Sequence, residues 1–199
     1  FLKSPIPRYL IEYGPKKNPF IPWDNRLEIQ PVNDKHTLIL NKYPVQLGHM
    51  LLITNNWQPQ NGWLTKDDFA AILNVDNNTT GLWFFNSSKE AGASQPHRHF
   101  QLLPRHCTQI VCPRYNWFLS LLNNGIDHTS FISHCISIKS HKKNKNGNIC
   151  DLYESYKYMV NEMNLGDIYI TDKPLKPYNL LITSEWIALI TREIDKSNG

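Results

Sequence analysis

Three side chains able to do chemistry recur at every second position of one short segment, His97-Arg98-His99-Phe100-Gln101. In an extended strand alternate residues share a face, so a strand over His97 to Leu103 would project His97, His99 and Gln101 together. Arg98, Phe100 and Leu102 would take the other face, where Phe100 and Leu102 can enter a core. Two chemistries suit such a pair of imidazoles. They could ligate a metal, histidine being a common zinc ligand, but Gln is a poor transition-metal ligand and no Cys, Asp or Glu lies nearby in the sequence. Alternatively one ring is a nucleophile: imidazole, with an ordinary pKa near ~6.5, is partly neutral at physiological pH and can attack an electrophile.

The preceding loop favours phosphorus as that electrophile. In Glu90-Ala-Gly-Ala-Ser-Gln95 the small residues Gly92, Ala93 and Ser94 would let backbone N–H groups approach an anion, and Ser94 and Gln95 add side-chain donors. Donors fixed before reaction stabilise charge on non-bridging phosphate oxygens. Lys89 is a candidate for a distal phosphate. The remaining histidines, His36, His49, His106, His128, His134 and His141, read as surface or hydrogen-bonded residues.

The stretch GASQPHRHFQ at 92–101, with LNKYPVQLGHMLLIT at 40–54, resembles the ATP adenylyltransferases, or diadenosine tetraphosphate phosphorylases, of the histidine-triad superfamily. The likeness is strong over about residues 18–104 and looser at the hairpin 178–191. It implies a histidine-triad-like fold in which His99 is the nucleophile taking an adenylyl group, while His97 and Gln101 orient it and hydrogen-bond phosphate oxygens. It also implies that Ser94 and Gln95, with the backbone at Gly92 and Ala93, hold the phosphate chain. Asn41, Lys42 and Asn86 match positions that contact the nucleotide. The implied reaction converts diadenosine tetraphosphate and phosphate to ATP and ADP through an AMP–His99 intermediate. Its partners would be diadenosine polyphosphate, ATP, ADP and phosphate; Mg²⁺ would accompany the nucleotide, with no tightly bound cofactor and no protein metal site. Another histidine-triad nucleotidyl transferase or hydrolase, or a non-catalytic nucleotide-binding module, shares these features.

The elements needed to position these residues can be read from spacing. Two apolar runs in His36 to Thr54, separated by a loop with Pro44 and Gly48, predict an antiparallel hairpin. Met50 to Ile53 is apolar without alternation and should be covered on both faces. Thr65 with Asp68 three residues later predicts a helix start, and Phe69, Ile72 and Leu73 fall on one helical face. Gly81 to Asn86 returns to strand; its Leu82 to Phe85 predicts core, with one aromatic bordering a base pocket. Residues 131–139 alternate like a strand. Leu152, Tyr156, Met159, Val160 and Met163 have helical spacing, with Gly166 as the expected C-terminal cap. Residues 178–191 predict a second hairpin turning near Ser184 and Glu185. The pattern is α+β: an antiparallel β-sheet with flanking helices.

Composition sets the remaining bounds. A chain of 199 residues, 41% hydrophobic and 19% charged, can bury a sizeable core as one domain. No apolar run reaches the ~20 residues of a membrane helix. The four cysteines, Cys107, Cys112, Cys135 and Cys150, lack CxxC spacing, which argues against a zinc site and for incidental thiols in a reducing cytoplasm. The net charge of +4 suits an anionic substrate. Residues 1–35 read as an irregular, Pro-rich wrap, and the basic 140–150 segment as a mobile solvated loop. That segment has no interleaved aromatics, so no nucleic-acid partner is expected; oligomeric state is left open. A chain starting at Phe1 without an initiator Met and stopping soon after the second hairpin reads as processed or as part of something longer.

Overall fold

The histidine segment lies near the middle of an eight-stranded sheet in which every adjacent pair is antiparallel. A computed structural model describes residues 18–106, 109–125, 136–140 and 149–192. The expectations for residues 1–17, for 131–135, for nearly all of the basic loop and for the side chains of Cys107, His128, His134, Cys135, His141 and Cys150 lie outside the described residues. The strands are β1 (Glu28–Asn33), β2 (His36–Leu40), β3 (Met50–Thr54), β4 (Gly81–Asn86), β5 (His99–Pro104), β6 (Ile136–Ser140), β7 (Tyr178–Ile182) and β8 (Trp186–Thr191). Their order across the sheet is β1-β2-β3-β5-β4-β7-β8-β6. The helices are α1 (Lys66–Asp76), α2 (Tyr115–Asn124) and α3 (Ile149–Glu162). This is the expected α+β architecture, with both predicted hairpins, β2–β3 and β7–β8, in place.

The two faces of the sheet are used differently. On one, Leu52, Trp83, Phe85, Phe100, Leu102 and Leu180 pack against Phe69 and Ile72 of α1 and Leu152, Tyr156 and Met159 of α3. On the other, Phe20 and Trp23 of the N-terminal segment cover Ile39, Leu51 and Ile53 at one end. Phe118 of α2 stacks on Trp186 at the far end, ring centroids 4.7 Å apart. β3 is thereby buried from both sides, as its unbroken apolar run predicts. Between the N-terminal segment and α2, no helix of the described residues lies on that second face.

Local details depart from the sequence reading in four places. The described part of the N-terminal segment is not irregular throughout: Asn25–Leu27 forms a 3₁₀ turn, β1 then pairs with β2, and Pro31 is tolerated because β1 is an edge strand with shifted register on both sides of it. α2 was not anticipated: Arg114 at its N-cap makes no side-chain capping bond, so the usual start signal is missing. α3 is closed by Asn164 rather than Gly166. Asn164 adopts φ 51°, its N–H donates to Asn161 O at 3.1 Å, and Leu165 N–H reaches Val160 O at 3.0 Å, a left-handed cap with Asn in the glycine role. Finally, β5 begins at His99, two residues later than predicted.

α1 begins with the reciprocal cap its sequence predicts. Asp68 Oδ2 accepts from Thr65 N–H at 2.7 Å, and Thr65 Oγ1 accepts from Asp68 N–H at 3.3 Å. The same carboxylate also takes Arg98 Nη1 at 3.0 Å and His36 Nε2 at 2.8 Å, all three side chains being buried. Burial alone would push this carboxyl up; the His36 hydrogen bond and the Arg98 charge outweigh it and hold it below the usual carboxylate range. Arg98 therefore ties the start of the histidine strand to the helix layer, on the opposite side from His99.

Candidate active site

His99 forms part of the floor of a cavity of about 430 Å³ on the second face of the sheet, within the range of small-molecule sites. Gln101, Ser94, Gln95, Asn41 and Lys42 line it, and Phe20, Trp23, Tyr43 and Leu51 give it an apolar wall. Trp83 and Phe85 are core on the other face, as expected for Leu82 to Phe85; none of that strand's rings lines this cavity, and the N-terminal segment and Tyr43 supply its rings.

His99 is only 3% exposed, and its ring meets Phe20 at a centroid distance of 5.3 Å. Its Nδ1 lies 2.8 Å from the carbonyl oxygen of His97. A carbonyl only accepts, so Nδ1 carries the proton and Nε2 keeps its lone pair. No hydrogen bond to Nε2 is made among the described residues. Burial lowers the pKa of this ring; the His97 carbonyl partly opposes that, and nearby His49 reinforces it. A neutral imidazole with an available Nε2 is the nucleophilic form.

His97 is placed differently from its expected role. Its ring is fully buried, with Nε2 2.8 Å from both Thr54 O and Thr54 Oγ1 and Nδ1 2.8 Å from Asn18 Nδ2. Phe20 and Trp57 pack edge-on against it. Both nitrogens being engaged, the ring cannot reach phosphate oxygens in this arrangement. Desolvation takes its pKa down to about 4, and its contribution to the site is the main-chain carbonyl that sets the His99 tautomer.

The loop expected to hold phosphate is also used differently. Gly92 N–H donates to Lys89 O at 2.9 Å and Ala93 N–H to Ser88 O at 2.8 Å, so these two donors are spent in the short 3₁₀ turn Lys89–Ala91 that shapes the loop. Gly92 takes φ 96° there, a value that disfavours any side chain. Ser94 and Gln95 make no hydrogen bond among the described residues, and both line the His99 cavity. Asn86 faces the loop rather than the cavity: its Nδ2 donates to Gly92 O at 3.3 Å and its Oδ1 accepts from Asn179 Nδ2 at 2.7 Å. Asn179 also donates to Ala91 O at 2.8 Å. Lys89 is exposed and lines a second cavity of about 540 Å³, with Trp57 and Gln60 and with Ser94 and Gln95, which line both cavities.

Two buried residues of this neighbourhood escaped sequence reasoning. His49 Nδ1 accepts from Val45 N–H at 3.3 Å, with Asn41 Nδ2 at 3.2 Å, so its proton sits on Nε2. That atom is buried without a partner at bonding distance, although the Gln101 amide beside it favours protonation; desolvation prevails and lowers the pKa. Gln60, 3% exposed, hydrogen-bonds the backbone of His99. The Gly48-His49 pair in the hairpin loop was a signal for the first; nothing in the local sequence marks the second. Among the described residues no three His, Cys, Asp or Glu side chains come together as a metal site.

A neutral imidazole with an unengaged Nε2 lies beside free donors and an apolar wall, on an antiparallel sheet backed by helices, an arrangement able to attack an electrophile such as phosphorus. Residues 10–113 match the Ap4A phosphorylase N-terminal domain, and the chain belongs to that family. It is similar to Protein APA1 of Saccharomyces cerevisiae, 28% identical over 183 residues, covering 80% of this chain and 55% of that protein. It is also similar to diadenosine 5',5'''-P1,P4-tetraphosphate phosphorylase 2 of the same yeast, 27% identical over 190 residues, covering 82% and 56%. The crystal structure of yeast Ap4A phosphorylase Apa2 superposes with a TM-score of 0.71 at 25% identity, covering 92% of this chain and 65% of that one. Its complex with Ap4A gives 0.70. The chain thus spans about half the length of the yeast relatives it matches.

Proposed function

We propose that this chain carries the nucleotidyl-accepting site of a diadenosine tetraphosphate phosphorylase. The observation that carries the reading is the His99 ring: Nδ1–H held by the His97 carbonyl, Nε2 unengaged, in one cavity with Ser94 and Gln95. Kinship with yeast proteins named for this activity supports it.

In the first step Nε2 attacks the α-phosphorus, the bond from that phosphorus to the bridging oxygen breaks, and ATP leaves with the electron pair. The new imidazolium keeps its Nδ1 proton on the His97 carbonyl. In the second, an oxygen of inorganic phosphate attacks the same phosphorus, the N–P bond returns its pair to Nε2, ADP departs, and the phosphate proton goes to solvent. Ser94 and Gln95 hold the non-bridging oxygens as charge builds, assisted by the Gln101 amide. The base lies against Phe20, Trp23 and Tyr43. The polyphosphate crosses the Ser94–Gln95 edge toward the second cavity, where Trp57 and Lys89 meet the departing ATP. Any Mg²⁺ arrives with the nucleotide. A cytoplasmic setting accords with the free, buried Cys112 thiol.

The test is incubation with diadenosine tetraphosphate in the absence of phosphate, read by mass spectrometry. The protein should gain one AMP, released as ADP when phosphate is added; the His99→Ala variant should gain none. Nucleotide binding without an adduct would make this a non-catalytic nucleotide-binding module, and release of AMP by water in place of ADP would make it a hydrolase.

A further inference from the structure

We propose that Gln60 is the positioning residue of the site, a side-chain amide standing in for missing strand pairing at the backbone of His99. β4 and β5 pair from Gly81↔Pro104 to Phe84↔Gln101 and then separate, which makes room for the loop that carries Ser94 and Gln95. Continued two residues further, that register would set Asn86 opposite His99. In that gap lies the Gln60 amide: Oε1 accepts from His99 N–H at 2.8 Å, and Nε2 donates to His99 O at 3.2 Å and Asn86 O at 2.7 Å. The orientation is unambiguous, since an N–H needs the oxygen and two carbonyls need the nitrogen.

The adjoining backbone of Gln58 to Gln60 completes the clamp. Arg98 N–H donates to Gln58 O and Gln60 N–H to Pro96 O, each at 2.8 Å, and Pro59 bridges His97. The peptide groups on both sides of His99 are therefore held from one short segment. Because the ring is tethered through Nδ1 to the carbonyl of His97, the location of Nε2 follows the backbone of 97–99. Gln60 acts on the chemistry through that backbone and touches no substrate in this role.

The inference rests on His99 being the adenylyl acceptor. Gln60→Met keeps length and apolar volume but removes all three side-chain hydrogen bonds. We expect it to slow AMP transfer to His99 by roughly ten- to a hundredfold, the scale set by small misplacements of a reacting group, with AMP affinity by calorimetry kept within about threefold. Leu152→Ala, a cavity in the opposite core, serves as a control that loses stability and keeps the wild-type transfer rate well below its melting temperature. A Gln60→Met rate equal to wild type, or falling only in step with AMP affinity or with the Leu152→Ala control, overturns the proposal. Should Gln60→Met not fold, Gln60→Asn, which withdraws the amide by one methylene, carries the same comparison. If the wild type itself forms no adduct, the nucleotidyl reading is what fails, and Gln60 is judged by imidazole ¹⁵N shifts. Wild-type His99 should then show the Nδ1–H form and Gln60→Met a mixture of tautomers, an unchanged spectrum overturning the positioning role.

Discussion

The Nδ1 of His99 lies 2.8 Å from the main-chain carbonyl of the residue two before it, His97. In the proposed reaction the pair of histidines divides its work: one supplies the reacting ring, the other a backbone acceptor that fixes which nitrogen of that ring is basic.

This division predicts unequal consequences for substitution. His99→Ala should abolish adduct formation. His97→Ala removes a buried ring and its bonds to Thr54 and Asn18, so it should destabilise by roughly 2–4 kcal/mol while keeping measurable AMP transfer at temperatures where it is folded. Thermal unfolding and adduct mass, measured on the same samples, separate the two effects; complete loss of transfer in a folded His97→Ala protein would assign the ring itself a chemical part.

Acid should act through the same pair. Desolvation depresses the His97 pKa to about 4 and depresses that of His99 as well. The unfolded chain, with histidines near ~6.5, then binds more protons than the folded one below that pH. Stability is fully retained above pH 6.5 and falls as pH drops toward 4, by about 3 kcal/mol for His97. Chemical denaturation across that range measures the loss. The adduct rate should be flat through pH 7 and show its acid limb below 6.5, since the reacting nitrogen stays neutral.

Donors in the loop should not be equivalent. Ser94→Ala and Gln95→Ala, which remove free donors beside His99, should each weaken AMP binding roughly tenfold. Lys89→Ala, facing the second cavity, should leave AMP affinity unchanged and weaken diadenosine tetraphosphate instead. Calorimetry with the two ligands distinguishes the positions, and an equal loss for AMP in all three variants would contradict this layout.

Asp68 predicts a large effect on the opposite face. Asp68→Ala would strip the buried Arg98 of its carboxylate partner and remove the Asp68 half of the α1 cap, costing roughly 3–5 kcal/mol. Because the carboxyl is held below its usual range, its contribution is present at neutral pH and is lost as pH falls through the folded value. Urea titration of the variant at pH 7 checks the magnitude; a change under 1 kcal/mol would show that the cluster is energetically neutral.

Much of this was legible in the chain. Strong local patterns located both hairpins, the Thr65–Asp68 cap and the apolar faces of α1 and α3, because each depends on residues close in sequence. The nearness of His99, Ser94 and Gln95 was equally local. β1 and α2 were not legible, one hidden by Pro31 on an edge strand and the other by the absence of a cap.

The sequence alone determined the side-chain repertoire of the site and the α+β pattern that would carry it, since both follow from spacing within short segments. Tertiary structure decided which groups remain free to react. His97 lost its nitrogens to Thr54 and Asn18, Gly92 and Ala93 spent their N–H groups within the loop, and His49 and Gln60 were brought from distant turns to surround Gln101 and His99. Hydrogen-bond partnership and desolvation depend on what lies across space, and that is settled only when the sheet and its wrapping segment close around the cavity.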